Sequence, residues 1–414
     1  MKQIELKITS LSPLAIGKKK PGSVSEAGDY IPGSVIRGAI AAVMLRYAKV
    51  ENPNLTDNQD LSANGGDFQK LFLDENAAIF HNAYPSDSDN NAEVLVLPAT
   101  AVSSKAKPGF LSKGNGVFDT LIDRFCAEAY NFPYDPNCPK DIMIKGDGRV
   151  EPFSGFYTQQ GKKYQSHSVT KRLLTRVGIN RRRATSEEEV LYSLEVINET
   201  QGETKQPAIY RSKIIVDNDT LADDLTNFIN KRNFRLGGAT SRGLGKVEIE
   251  ATVTEINSNL TTSVAEFNQK LQQRWQTWGI FGEPQQPWQK ERTYFTINLQ
   301  SDAIFTENWL RTTVISPQML SEFTDVQDSS LILHTAYSSY DYVSGWNSAW
   351  GLMKDVDLVT NKGGVYLFST TQKQTWLPAL EKLLQTGVGK KTTEGFGQIK
   401  ICHPFHLVFR ENPA

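Results

Sequence analysis

At 414 residues, with 39% hydrophobic and 22% charged side chains, the chain can bury a large core and is sized for two to three domains. Three cysteines, odd in number and irregular in spacing, exclude a disulfide framework and fit a reducing cytoplasm. A formal net charge of −1 leaves any polyanion-binding face to local runs of cations, and no apolar run reaches the ~18 residues of a transmembrane helix, so a soluble protein with no membrane partner is expected.

Residues 2–9 alternate polar and apolar side chains, the period of a half-buried strand. After Lys18, Lys19 and Lys20, Pro32 and Gly33 interrupt the chain, and Ser34 is placed as N-cap of an apolar helix to about residue 48. Residues 52–67 and 85–92, rich in Asn, Asp and Ser, read as exposed loops, as does the Lys/Gly/Pro stretch 105–116. Helical spacing covers 118–130, and 148–164 reads as a strand pair with aromatic residues. Residues 189–197 and 209–216 read as strands, 221–229 as a short helix, Lys246–Thr254 as a strand and 262–278 as a helix. The Pro/Gln-rich FGEPQQPWQ that follows is the best linker. Beyond it Thr293–Leu299, 331–342 and 364–370 are strand-like, 376–384 is an amphipathic helix and 396–402 a strand. All seven tryptophans lie at or after Trp275, which marks a distinct C-terminal domain with core packing as their expected role.

Strand, helix, strands, helix, glycine turn, strand is the order of a ferredoxin-like unit. The predicted fold is α+β: two ferredoxin-like (RRM-like) βαββαβ units in tandem, the first with large insertions. The expected division is an N-terminal domain at 1–258, a helix and linker at 259–291 and a C-terminal domain at 292–414.

GATSRGLGKVEI at 238–249 recurs as KKTTEGFGQIKI at 390–401. The numbers of Gly243 and Gly395 differ by 152, and at that offset the hydroxyl, glycine and apolar positions coincide, as in two related domains. Neither copy is a P-loop, since Leu244 stands where lysine is required and Val247 follows Lys246 without a hydroxyl. Neither gives G-x-G-x-x-G. What remains is a loop of backbone N–H groups flanked by hydroxyls and cations, suited to the phosphates of a nucleic acid strand. Arg242 and Lys246 supply charge in the first copy, Lys390 and Lys391 in the second, where Glu394 replaces Arg242. The plainer alternative is that glycine only turns a helix into a strand.

Lys171, Arg172, Arg176, Arg181, Arg182 and Arg183 crowd into one basic hairpin, followed by Glu187, Glu188 and Glu189. Such a run is an electrostatic footprint for phosphates, and Phe153, Phe156, Tyr157 and Tyr164 upstream are candidates to stack on bases. The alternative is a solvated hairpin whose arginines pair with the glutamates.

IPGSVIRGAI at 31–40, TRVGINRRRATSEEEVLYSLEVI at 175–197, GGATSRGLGKV at 237–247 and GVGKKTTEGFGQI at 387–399 together resemble the RAMP superfamily of CRISPR effector subunits. The stretch from RVGIN to LYSLE resembles its type III members. The resemblance implies a Cas-five-type subunit, most like subtype III-D. Such a subunit caps the crRNA 5′ handle, contacts the large polymerase-like subunit, anchors backbone RAMP subunits and meets target RNA indirectly. The expected RNA contacts are Ser34, Arg37, Lys171, Arg172, Arg176, Arg181, Arg182, Arg183, Ser241, Arg242, Gly243, Gly245, Lys246, Lys390 and Lys391, on a scaffold with no catalytic role and no cofactor. A fused backbone subunit that cleaves target RNA, a metal-independent repeat-RNA endoribonuclease and a protein-only assembly subunit are the alternatives.

Nucleases of the family use a loop aspartate, or His, Tyr or Lys as acid and base. The candidates here are Asp29, which would equally satisfy a loop backbone, and His167 with Tyr164, Lys163 and Lys171. His81, His334, His403 and His406 show no ligand spacing. Cys126 and Cys138 have no CxxC or histidine pair beside them, so no metal site is expected.

Overall fold

The computed structural model describes all residues except 19–25, 52–65, 88–91, 141–147, 181–184, 203–204, 257 and 348–350. Strand β1 (Lys2–Ser10) alternates as its sequence demands: Ile4, Leu6 and Ile8 face inward while Lys7 reaches Glu250 at 3.1 Å on the outer face. Helix α1 (Gly33–Glu51) and the short strands β2 (Ile79–Phe80) and β3 (Tyr84–Ser86) follow. An insertion then supplies helix α2 (Leu121–Ala129), β4 (Phe156–Gln160), β5 (Lys163–His167) and a long hairpin of β6 (Lys171–Asn180) and β7 (Thr185–Ile197). The first half closes with β8 (Ile209–Val216), α3 (Asp219–Asn230) and β9 (Lys246–Thr254). Helix α4 (Leu260–Trp278) leads to β10 (Thr293–Leu299), α5 (Pro317–Thr324), β11 (Ile332–Tyr337), β12 (Val365–Thr370), α6 (Lys373–Thr386) and β13 (Ile399–Ile401).

The fold is thus mixed α/β with antiparallel sheets. The first sheet runs β9–β1–β8–β2, with β3 also beside β8 and the two-residue strand Phe234–Arg235 at the edge beside β9, and the second runs β13–β10–β12–β11. In the first half, Ile36 and Ile40 of α1 and Leu221, Leu225 and Ile229 of α3 cover the Ile4–Leu6–Ile8 face. In the second, β10 is buried on both faces. Phe295 meets Trp376 of α6 with centroids 5.8 Å apart, and Asn268 of α4 bonds both the N–H and the carbonyl of Tyr294 at 2.8 and 2.7 Å. Helix α2, from the first half of the chain, packs into this second core through Leu121, Ile122 and Cys126, and its Asp123 takes two hydrogen bonds of 2.7 Å from Arg274.

Several elements depart from the pattern read in the sequence. Helix α1 begins at Gly33, so Ser34 lies inside its first turn, and a side chain from outside the helix satisfies its first N–H: the Asn82 Oδ1 accepts from Gly33 N–H at 2.8 Å. Of the loop expected over 85–92, residues 88–91 lie outside the described residues, while 84–86 are a buried strand with Pro85 at the sheet edge opposite Tyr210, where no ladder donor is needed. The expected loop at 52–67 lies largely outside the described residues, and Gly66–Phe72 is helical. Within 105–116, Phe110 is buried against Phe153, Tyr157, Tyr164 and Phe405. The strand expected over 331–342 breaks at residues 338–339, after which Tyr340–Val343 leaves the sheet to pair with Asp357–Thr360. Apolar spacing continues across that break, so periodicity alone could not reveal it. Trp275 and Trp376 serve the core, whereas Trp309 is 97% exposed at a hairpin tip with φ 67°. No helix among the described residues is long and apolar enough to cross a membrane.

Candidate nucleic-acid interface

The two glycine loops have the same backbone. Ala239 and Lys391 are left-handed at φ 54° and 58°, and each opens a three-residue 3-10 turn, Thr240–Arg242 and Thr392–Glu394. Gly243 and Gly395 close these turns at φ 88° and 97°, and Gly245 and Gly397 follow at 81° and 68°. The hydrogen bonds repeat as well: Gly238 N–H to Ala15 O at 2.8 Å matches Lys390 N–H to Ile304 O at 3.0 Å, and Leu236 N–H to Gly245 O matches Val388 N–H to Gly397 O, both at 2.8 Å. The 152-residue repeat in sequence is therefore a repeat in three dimensions. Glycine is obligatory where a Cβ would strike backbone, 2.4 Å from Leu236 O at Gly245 and 1.8 Å from Val388 O at Gly397.

The surroundings of the loops differ. At the first, the hairpin packs on the loop through Leu174, Leu194 and Val196 against Leu244, Ala239 and Ala15. Arg176 Nη1 donates to the Arg242 carbonyl at 3.1 Å, and Arg242 Nη1 donates to the Tyr192 hydroxyl at 2.5 Å. Register explains the joint, because Arg172, Leu174 and Arg176 share one face of β6 and sit opposite Val196, Leu194 and Tyr192. The opposite face carries exposed Leu173 and Val177. Ser241, Arg242, Gly243 and Lys246 are exposed and Gly245 is buried, so the loop offers hydroxyl, guanidinium and ammonium groups to solvent beside the hairpin.

The second loop faces into the protein. A Cβ on Gly395 would lie 2.6 Å from Asn82 Oδ1 and 3.0 Å from Phe80 O, and one on Gly33 would lie 3.0 Å from Glu394 O. This loop therefore closes over the N-terminus of α1. Lys391 is paired with Asp357 at 2.5 Å and Glu394 with Lys354 at 2.7 Å, while Lys390 is exposed.

The other expected residues are placed as follows. Arg37 is half-buried, donates to the Phe72 carbonyl at 2.6 Å and lies over the Phe72 ring; burial lowers its pKa. Ser34 is half-buried in the first turn of α1. Lys171 Nζ bonds Asp29 Oδ1 and the Ala27 carbonyl, each at 2.7 Å, and Arg172 pairs with Glu199 at 3.0 Å. Arg181, Arg182 and Arg183 lie outside the described residues. His167 is buried, with Nε2 2.8 Å from Thr158 Oγ1; burial lowers its pKa, and Asp87 opposes that shift. It does not stand in the open basic setting its sequence neighbours suggest. Phe156 and Tyr157 are buried and Tyr164 and Phe153 partly so, all within aromatic clusters, which removes them as free platforms for bases. Cys126, Cys138 and Cys402 are buried thiols, and among the described residues no group of three or more His, Cys, Asp or Glu side chains could hold a metal ion.

Tyr192 and Asn82 are the residues that sequence reasoning missed. Tyr192 had a signal in the LYSLE segment, since its strand places it opposite an arginine. Asn82 had none, because it acts on a helix 49 positions away.

The structure thus sets a glycine loop on each of two helix-backed antiparallel sheets and couples one of these loops to a hairpin that carries Lys171, Arg172 and Arg176. Residues 7–248 match the RAMP superfamily, more than half of the chain, and the chain belongs to that superfamily. Among solved structures it is similar to a chain of the type III-B Cmr-beta complex bound to cognate target RNA and AMPPnP, with 12% identity, 90% of this chain and 88% of that chain covered, and a TM-score of 0.40. It is also similar to oligomeric Cmr4 from Pyrococcus furiosus, with 14% identity over 62% of this chain and 100% of that one and a TM-score of 0.25. A Cas6 product complex shows 15% identity over 49% and 80% of the two chains, with a TM-score of 0.28. No curated protein matches the chain in sequence.

Proposed function

We propose that the chain is a crRNA-binding scaffold subunit of a type III CRISPR-Cas effector complex in the cytoplasm. In this reading it caps the crRNA 5′ handle and joins the large polymerase-like subunit to the backbone RAMP subunits. The two sheets, each in the strand order fourth–first–third–second with helices after the first and third strands, read as tandem ferredoxin-like units. The proposed division is 1–258, a connecting 259–291 and 292–414, with α2 as an insertion of the first unit that braces the second.

The observation that carries the reading is the joint of Arg176, Arg242 and Tyr192, which couples a phosphate-binding type of loop to a basic hairpin on one surface. A scaffold role is supported by the placement of the two nuclease candidates, Asp29 beside Lys171 and His167 inside the protein. The test is footprinting of crRNA reconstituted with the full chain in EDTA. Protection of the repeat-derived 5′ handle with the RNA intact is expected. Absence of protection counts against the capping role, and site-specific cleavage that disappears in His167→Ala would replace it with an endoribonuclease.

A further inference from the structure

Each half of the chain inserts a hairpin between the second and third strands of its sheet, and each hairpin leans on the glycine loop of its own half. The charges at the two joints are opposite. Glu394 takes the place of Arg242 and Lys391 that of Ala239, so the second loop binds its hairpin through Lys354–Glu394 and Lys391–Asp357. The lysine of that hairpin is thereby neutralised within the protein. Between residues 340 and 360 the sequence holds three aspartates and a single lysine, and Asp355 is exposed. A polyphosphate strand finds like charge there rather than a counter-ion.

What the hairpin does offer is apolar. Tyr340, Tyr342, Leu352, Met353 and Val356 are each more than half exposed. Tyr340 and Tyr342 are two apart on one strand, hence on one face, with their rings edge-on at 6.2 Å. A concentration of large exposed apolar side chains on one projection marks an interaction surface, and Tyr and Met are typical anchors of protein interfaces. We propose that this second hairpin is a docking finger for another protein chain. Its partner presents an apolar pocket for the tyrosines, rimmed by Lys or Arg that face the exposed Asp355. The proposal rests on the reading of the chain as a subunit of a larger ribonucleoprotein.

The test replaces Tyr342, and separately Ser241, with a benzophenone amino acid in the full chain and irradiates the particle purified with its RNA. A crosslink from position 342 to a different protein subunit is expected. An RNA adduct at 342, a crosslink to a second copy of this chain, or no crosslink at 342 overturns the docking assignment. Failure of position 241 to reach RNA counts instead against the function proposed above, so the two failures are separable. Independently, Tyr340→Ser with Tyr342→Ser should lower retention of the chain in the salt-washed particle at least tenfold. The thermal midpoint and RNA affinity of the isolated chain should stay unchanged; wild-type retention overturns the proposal.

Discussion

Arg176 donates from its guanidinium to the carbonyl oxygen of Arg242 at 3.1 Å, so the hairpin and the first glycine loop form one unit. Arg242 in turn reaches Tyr192 on the facing strand. Arg242 is thus fixed relative to two facing residues of a hairpin that lies 50 and 66 positions earlier in the chain, on the surface proposed for RNA.

Arg176→Ala and Arg242→Ala should each weaken RNA binding and reduce the steepness of its salt dependence by ~0.7–1 for each phosphate no longer neutralised. Arg176 bonds the backbone carbonyl of Arg242, which alanine keeps, and the Arg242 side chain bonds Tyr192, so the losses of the two single variants should add to within about 0.5 kcal/mol in the double. Filter binding across a salt series measures both quantities. Unchanged affinity and an unchanged slope in both single variants would show that the joint does not act on RNA.

The glycines of one loop should differ in tolerance. A Cβ on Gly243 meets nothing within 4 Å, so Gly243→Ala has only the left-handed backbone at φ 88° to bear, about 1–2 kcal/mol. A Cβ on Gly245 lies 2.4 Å from Leu236 O at φ 81°, so Gly245→Ala adds a backbone collision and should cost more than ~3 kcal/mol or abolish folding. Thermal unfolding and soluble yield of the two variants check the order, and equal effects would contradict it.

These loops were legible in the sequence because positive φ admits few residues other than glycine, which keeps the spacing of Gly243 and Gly245 visible at Gly395 and Gly397. Lys246–Thr254, which alternates strictly, and Thr293–Leu299, a short run rich in apolar and β-branched residues and buried on both faces, were legible to the residue. What stayed hidden depends on distant partners. The Asn82 cap on Gly33, the pairing of Lys171 with Asp29 and the burial of His167 against Thr158 are set by tertiary contacts that no local pattern encodes. The aromatic run at 153–164 shows the same limit, since composition marks the rings but not which side of the sheet they take.

Acid should destabilise the second core before its carboxylates are fully protonated. His334 lies against Ser369 at 2.8 Å, and burial, with Arg292 adding to it, lowers its pKa to about 4. The folded state thus favours the neutral ring, whereas the unfolded chain takes up the proton near pH 6.5. The contribution is complete above about 6.5 and falls as pH drops toward about 4, by roughly 3 kcal/mol in total. In His334→Gln that segment of the stability–pH profile should flatten. Denaturant midpoints taken between pH 7 and 4 read the difference, and parallel profiles for the two proteins would exclude His334 as the source.

Asn82 ties the halves together at one buried point. Its Oδ1 accepts from Gly33 N–H, its Nδ2 lies 3.4 Å from the Tyr84 hydroxyl, and that hydroxyl donates to the Gln300 carbonyl of the second half. Asn82→Ala leaves the Gly33 N–H without its acceptor in a buried site, which should cost about 1–3 kcal/mol. Asn82→Asp keeps the acceptor and should recover part of the stability, with the helix N-terminus favouring the carboxylate. The first glycine loop and its hairpin make none of these bonds, so RNA affinity should persist in both variants while the thermal midpoint falls. A drop in RNA binding at temperatures where Asn82→Ala is still folded would mean that the α1 N-terminus and the second loop belong to the RNA surface after all.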